Sequence, residues 1–150
     1  MFILSFFTLL PILSIAQSQE IGLDVNSIDI SREYTKQEVV EAWGEPDIYY
    51  HNESDNGISE RYYYGNSGMM FSDGYLTTIS LSDNKFSIFT SKSGGLKVGD
   101  PLHRISELKL GELIQTDQNT YNLKIEGLDD MIKIRTVSNK ISFILYIMSS

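Results

Sequence analysis

Apolar and polar residues alternate along the chain in short runs, a pattern typical of half-buried β-strands. Turn-forming residues separate most of the runs, and the Asp73-Gly74 pair is the strongest hairpin signal. Residues 51–57 have the composition of an exposed loop. The pattern therefore predicts antiparallel strands joined by tight turns in both halves of the chain. The predicted strands lie at residues 58–64, 69–72, 75–81, 85–91, 121–125, 131–135 and 141–148.

The segment at residues 35–44 has the start, body and stop signals of one short helix. Thr35 and Glu38 have the spacing of a capping box, in which each side chain satisfies a backbone N–H group of the first turn. Val39 and Trp43 are four residues apart and share a helical face, which predicts that both lie in the core. Gly44 is a residue that ends helices well.

A second helix is predicted with Asp100 as its N-cap, Pro101 at its first position and Gly111 as its stop. A helix followed by strands therefore occurs twice, about 65 residues apart. Neither half is large enough to form its own core. We expect an α+β fold of tandem helix-plus-antiparallel-meander repeats, residues 35–91 and 92–150, forming one compact domain with the helices packed on one face of the sheet.

The N-terminal residues 1–16 are mostly apolar and end in a small residue, Ala16, before a polar stretch. This profile predicts a signal peptide, because the run is shorter than the roughly 20 apolar residues of a membrane-spanning helix. No Lys or Arg precedes the run, so an uncleaved anchor and a buried N-terminal element are the alternatives. After cleavage we expect a periplasmic or secreted protein without a stable membrane span, beginning with a leader at residues 17–34.

Charge is distributed unevenly along the chain, which has 20 acidic and 12 basic residues and a net charge of −8. Residues 17–91 hold 13 acidic and 4 basic residues, whereas residues 92–150 hold 7 and 8. Nucleic acid is a poor partner for an acidic surface, because phosphate binding depends on clustered Lys and Arg. The acidity either supports solubility or complements a basic partner. Because the sequence has no cysteine, disulfides, thiolate metal sites and a cysteine nucleophile are excluded.

Several motifs carry a resemblance to a known group of domains. The helix segment at residues 35–47, the tyrosine strand at residues 62–64, Phe71 and the Asp73-Gly74 turn together resemble the SmpA/OmlA-like and β-lactamase-inhibitor-protein-like (BLIP-like) group. Residues 96–101 are similar to the start of a second such unit. The resemblance implies a tandem repeat of small envelope or secreted modules that bind other proteins without catalysis. The chain departs from the group in lacking its cysteines and the Gly-x-Pro after the second helix.

Candidate catalytic groups are sparse. The two histidines, His51 and His103, lie in different predicted repeats and outside any recognisable catalytic or phosphate-binding spacing. The loop at residues 52–57 is rich in oxygen ligands, but Asn52 at its first position and Tyr63 at its twelfth do not match a calcium-binding loop. We therefore expect no catalytic residue, no metal site and no cofactor.

Tyrosines are concentrated in the first predicted repeat. Successive strand residues point to opposite faces, so part of the Tyr62–Tyr64 surface is expected to be exposed. Tyrosine is favoured at binding interfaces because it brings a large contact area at a low entropic cost. Tyrosines also cover half-solvated sheets without any binding role, and that alternative remains. The predicted binding residues are Tyr49, Tyr50, Tyr62, Tyr64 and Tyr75.

These observations predict an exported, soluble, non-catalytic module that binds another protein of the envelope or the extracellular space through a sheet face and neighbouring loops. A structural role in envelope assembly differs from this function only in the partner. The alternative is a small hydrolase or ligand carrier that uses a cleft between the repeats. A cleft that places a histidine beside a carboxylate favours the enzyme, whereas an exposed aromatic face favours the binding module.

Overall fold

The computed structural model describes residues 24–25, 28–29, 34–89 and 95–149. The predicted signal peptide and most of the leader lie outside these residues. No helix within the described ranges has both the length and the apolar character needed to span a bilayer. In chain order the elements are β1 (Asp24–Val25), β2 (Ile28–Asp29), α1 (Lys36–Trp43), β3 (Ile48–Ser54), β4 (Gly57–Tyr64), β5 (Ser67–Ser72), β6 (Tyr75–Leu81), α2 (Arg104–Glu107), β7 (Glu112–Asp117), β8 (Thr120–Lys124), β9 (Met131–Val137) and β10 (Lys140–Ile147).

Strands β3 to β10 form one antiparallel sheet in the order β3-β4-β5-β6-β10-β9-β8-β7. Each half of the chain supplies four consecutive strands that run from an edge of the sheet to its centre. The halves meet where β6 pairs with β10, with Leu81 opposite Ile144 and Ile79 opposite Tyr146. Strands β1 and β2 form a separate two-stranded pair. The edges of the large sheet are therefore β3 and β7.

The hydrophobic core lies on one face of the sheet. Alternate residues of the central strands point towards this face and are buried, as the side chains of Ile79, Ile134 and Tyr146 show. Helix α1 and the segments before and after residues 90–94 cover the same face. Their buried contributions are Val39, Phe86, Ile88, Phe89, Leu96, Ile105 and Leu110. The strand residues that contribute to the core are therefore those at alternate, core-facing positions.

The helix predicted at residues 35–44 is confirmed as α1. The Thr35 hydroxyl accepts the N–H of Glu38 at 3.3 Å, and the Glu38 carboxylate accepts the N–H of Thr35 at 2.9 Å, which completes the capping box. Gly44 ends the helix at a φ of +83°, where a side chain would be strained. The Tyr64 hydroxyl donates to the Gly44 carbonyl at 2.9 Å and so fixes the end of α1 to β4.

The expected arrangement of tandem helix-plus-meander repeats, with helices packed on one face, is wrong. The molecule is mostly one eight-stranded antiparallel sheet with one short helix, α1, while α2 is a single turn of four residues. Asp100 does not cap a helix, because its carbonyl accepts the N–H of Ile141 and the N–H of Leu102 donates to Asn139. Pairing with the last hairpin thus overrides the local helix signals, and the second half has no counterpart of α1.

Two further predictions of local structure are corrected. Residues 51–57 are not a loop, since residues 51–54 belong to β3 and pair with β4 in regular register. Every β3 residue is exposed because β3 is an edge strand, which explains its loop-like composition. Residues 85–91 do not form a strand in the described part of the chain, where Ile88 makes only a single bridge to Leu96. Strand β7 had no strand signal in the sequence.

The Trp43 side chain joins α1 to the core, and its removal is expected to destabilise the protein. Its ring lies 6.0 Å from that of Tyr64 and 5.0 Å from that of Phe86, measured between centroids. Because Trp43 is half-buried, we expect Trp43→Ala to lower the free energy of unfolding by about 3 kcal/mol, the lower end of the range for buried aromatics. Urea denaturation followed by circular dichroism measures this loss.

The matched control is Gln37→Ala, which changes an exposed position on the same helix and is expected to alter stability by no more than about 0.5 kcal/mol. A loss of less than about 1 kcal/mol in Trp43→Ala would show that α1 does not anchor the core.

Candidate functional site

The sheet has a second face, whose residues point away from the core, and none of the described helices packs on it. We call it the open face. Its central row crosses the sheet in the order Ile48, Tyr63, Gly68, Ser80, Leu145, Lys133, Asn122 and Ile114. A parallel row consists of Tyr50, Arg61, Met70, Thr78, Ile147 and Met131. These rows place aromatic, aliphatic and basic side chains together on one exposed surface.

Two adjoining hollows indent the open face. The larger has a volume of about 570 Å³ and lies over β3 and β4, where its lining includes Ile48, Tyr50, Asn52, Ser59, Arg61 and Tyr63. The smaller has a volume of about 170 Å³ and lies towards the centre of the sheet, where its lining includes Gly68, Met70, Thr78, Ser80 and Leu145. Arg61 and Tyr63 line both hollows. The two hollows therefore adjoin at these two residues and form one depression in the open face.

Small residues at the centre of the sheet make this depression. A Cβ atom at Gly68 would lie 3.1 Å from the Tyr63 ring and 3.1 Å from the Ser80 hydroxyl, so a larger residue there would displace the ring. Tyr63 in turn packs edge-to-face against Tyr50, with 5.9 Å between ring centroids and 88° between ring planes. The two tyrosines thus form a fixed aromatic wall along one side of the hollows.

The five predicted binding tyrosines do not form one surface. Tyr62 and Tyr64 point to the core and are 8% and 2% exposed. Tyr49 also faces the core side, at the sheet edge, with its ring 5.4 Å from that of Tyr62. Tyr50 and Tyr75 occupy open-facing positions, but Tyr75 lies at the end of β6 beside the β5–β6 turn. Of the five, Tyr50 lines the larger hollow.

A buried carboxylate lies on the opposite, core-facing side of β4. Glu60 is 2% exposed and accepts two hydrogen bonds of 3.0 Å from the Lys36 ammonium. The Tyr49 hydroxyl donates to Glu60 Oε1 at 2.6 Å, and His51 Nδ1 lies 3.3 Å from the same atom. Lys36 is the first residue of α1, and Tyr49 and His51 are on β3. This cluster therefore fastens the helix and the edge strand to β4.

Hydrogen bonding in the cluster shifts three pKa values. Burial alone would raise the pKa of Glu60, but the hydrogen bonds from Tyr49, Lys36 and His51 outweigh burial and hold its pKa below the ordinary 4.5. The bond to Glu60 raises the pKa of Tyr49 to about 12. The same carboxylate raises the pKa of Lys36 above 10.5 by hydrogen bonding. The cluster therefore stays as an ion pair with a neutral tyrosine at physiological pH.

The His51–Glu60 pair has the separation of an acid–base pair, but its surroundings favour a structural role. Glu60 already accepts hydrogen bonds from three side chains, and its lowered pKa makes it a weak base. His51 Nε2 lies 4.0 Å from the Glu53 carboxylate. Among the described residues, no hydroxyl that could act as a nucleophile is hydrogen-bonded to His51. The Glu60 carboxylate lies on the core-facing side of β4, whereas His51 also lines the larger hollow.

In the described part of the chain, the second histidine is not part of a cluster of reactive groups. His103 Nε2 lies 3.4 Å from the Glu107 carboxylate, and both side chains are exposed on the short α2 turn. In the part of the chain that the structure covers, no three His, Asp or Glu side chains are grouped to hold a metal ion.

Sequence reasoning missed the residues that shape the open face. Arg61 and Tyr63 alternate with the buried Glu60 and Tyr62, and the sequence of β4 does not show which set faces the core. Leu145 lies in the most hydrophobic predicted strand, yet it is only partly buried on the open face. One signal in the sequence could have indicated the exposed face. Arg61 lies next to the aromatic residues of β4 and shares a face with Tyr63, two positions away.

Comparisons with known proteins give no relatives. No family model matches the chain, and no match is found among curated proteins or among solved structures. The resemblance to SmpA/OmlA-like and BLIP-like domains therefore stays a prediction, and the function must be argued from the open face itself.

The Glu60 cluster gives the protein a predicted pH dependence. Because folding lowers the pKa of Glu60 below 4.5, the ionised carboxylate stabilises the fold fully above about pH 4.5, and this stabilisation is lost as pH falls through the lower pKa of the folded protein. We expect Glu60→Gln to lower the free energy of unfolding by about 2 kcal/mol at pH 7. The difference from the wild type should shrink in acid. Urea denaturation at a series of pH values measures it.

Glu126→Gln is the matched control, because Glu126 is exposed in the β8–β9 loop. Its stability relative to the wild type is expected to be independent of pH. A Glu60→Gln penalty that persists unchanged at low pH would mean that the ionised carboxylate is not what stabilises the fold.

Proposed function

We propose that the protein is a non-catalytic module that binds another protein through the open face. The observation that carries this proposal is the group of aromatic and aliphatic side chains at the two hollows, in which Tyr50 is exposed and Tyr63, Met70 and Leu145 are half-buried. Antiparallel sheets that face water on one side usually present polar residues there. A contiguous exposed apolar patch is instead typical of an interaction site.

The dimensions of the open face suit a protein partner. Eight strands about 4.8 Å apart and about seven residues long give a surface of roughly 34 by 20 Å. This footprint is close to the roughly 800 Å² that each partner contributes to a standard protein–protein interface. The larger hollow, at about 570 Å³, has a volume that small-molecule sites also have. The area of the whole face is therefore what favours a protein partner.

The open face is also preorganised for binding. Its side chains stand on paired strands, and the Tyr50–Tyr63 contact restrains the two largest anchors. Rigid aromatic anchors lose little conformational entropy on binding and are common among the residues that dominate interface energies. The face therefore supports binding without a folding transition.

We further propose that this module acts outside the cytoplasm. Support comes from the sequence, namely the apolar residues 1–16 that end at Ala16. The partner would accordingly be a protein of the envelope or the extracellular space.

Site-specific photocrosslinking tests the use of the open face. The photoreactive residue p-benzoylphenylalanine is placed at Tyr50, at Leu145, or at the control position Lys97, which lies off the open face in an exposed loop. The full chain is irradiated in extracts of the cells that produce it. We expect one discrete protein to crosslink from Tyr50 and Leu145 and not from Lys97. Equal crosslinking from all three positions would contradict the proposal.

Substitution then measures the contribution of the aromatic wall to binding of the crosslinked protein. Tyr50→Ala should weaken binding at least tenfold, since truncated interface anchors cost about 2 kcal/mol or more. The control Ile58→Ala removes an exposed apolar side chain from the other face of β4 and should leave the affinity unchanged. Isothermal titration calorimetry gives both affinities, and equal losses would locate the site elsewhere.

A further inference from the structure

We infer that the partner presents an acidic surface to the open face, an inference that rests on the proposed function. The open-facing positions carry a set of basic side chains that come from both halves of the chain. These residues are Arg61 on β4, Lys124 on β8, Lys133 and Arg135 on β9, and Lys140 on β10.

This basic set runs against the charge of the molecule as a whole, which is −8. The acidic residues of β3 and β4, Glu53 and Glu60, occupy core-facing positions by register. Among the strands of the described sheet, acids at open-facing positions are confined to Glu112 and Asp117 on the edge strand β7. Basic side chains of the described sheet therefore lie mainly at open-facing positions, and the central strands have no carboxylate on the open face.

Arg61 is the best placed of the basic residues. It lines both hollows, lies opposite Tyr50 across the β3–β4 pair, and is exposed. In the described part of the chain its guanidinium makes no ion pair, in contrast to Lys36, which pairs with Glu60. A guanidinium beside aromatic rings in a hollow is suited to bidentate binding of a carboxylate. We therefore expect a Glu or Asp side chain of the partner to enter the hollow at Arg61.

A second group of cations lies across the sheet from Arg61. Lys133 and Arg135 are on β9, four strand positions from β4, which places them about 19 Å away. The Arg135 guanidinium lies 5.4 Å from the centre of the Phe143 ring, a cation–π contact that holds it over the sheet. Between the two groups lie the aliphatic and small residues of the central row. The open face thus has an apolar centre flanked by positive charge.

This arrangement favours an acidic protein over a polyanion. Nucleic acid and anionic membranes present continuous negative charge, which the acidic remainder of the molecule repels at distances within the Debye length of about 8 Å. A protein can instead place separate carboxylates at the two cationic groups and an apolar patch between them. Such a layout matches the usual apolar centre and charged rim of protein interfaces.

Selection from a phage-displayed library of random peptides tests the inference on the full chain. Peptides selected on the wild type should be enriched in Asp and Glu flanking apolar residues. Their affinity should fall about tenfold in Arg61→Gln, the usual size for losing one hydrogen-bonded charge pair. It should also fall as ionic strength rises from about 0.01 M to about 1 M, which shortens the Debye length from about 30 to about 3 Å. The matched control is Lys97→Gln, which should bind as the wild type does.

The outcomes separate this inference from the proposed function. In one outcome, the selected peptides lack an excess of acidic residues and still lose binding in Tyr50→Ala. That result would overturn the inference of an acidic partner but would keep the open face as the binding site. Peptides that bind equally to the wild type, Arg61→Gln and Tyr50→Ala would overturn both. Sedimentation with vesicles of equal parts phosphatidylserine and phosphatidylcholine supplies the third outcome. Vesicle binding that is lost in Arg61→Gln would assign the face to a membrane and overturn the protein partner.

Discussion

The pairing of β6 with β10 is the interaction on which the rest of the structure depends. It joins two four-stranded meanders, and the core-facing residues along the seam, Ile79, Leu81, Ile144 and Tyr146, are completely buried. The same pair also places Ser80 beside Leu145 on the open face, where they line the smaller hollow. One backbone pairing therefore closes the core on one side and brings Arg61 and Lys133 onto a common surface on the other. Without it, neither the core nor the open face would be complete.

The two faces of the sheet separate stability from recognition. Residues that stabilise the fold occupy alternate strand positions, together with α1 and the Glu60 cluster, which fastens the exposed edge strand to the helix. The intervening positions are free to vary in chemistry because they contribute little to the core. In this molecule they hold aromatic, aliphatic and basic groups among polar residues such as Ser80 and Asn122. A single strand such as β4 therefore carries a buried carboxylate and an exposed guanidinium at neighbouring positions.

Local signals predicted local structure well. The capping box at Thr35 and Glu38, the Asp73-Gly74 turn and the span of β6 follow from short-range rules, and the structure contains all three. The prediction of a second long helix was wrong because the Asp100 carbonyl accepts a hydrogen bond from the N–H of Ile141, a partner that no local rule identifies. The composition of the open face was not predicted for a related reason. Which of the two alternating sets of strand residues is covered depends on segments that are distant in the sequence. Summed charge left a role in solubility and a basic partner as alternatives, whereas the strand register collects basic side chains on one surface, from which we infer an acidic partner.

The position of β10 has a consequence for how the chain folds. This strand comes last in the described sequence yet lies at the centre of the sheet, and its residues pair with β6 residues that lie 63 to 69 positions earlier in the chain. Such non-local pairing slows folding, because loop-closure entropy is lost before the contact is gained. Until β10 has been synthesised, the two halves of the large sheet lack the strand that joins them. The complete eight-stranded sheet can therefore form only after synthesis has reached β10.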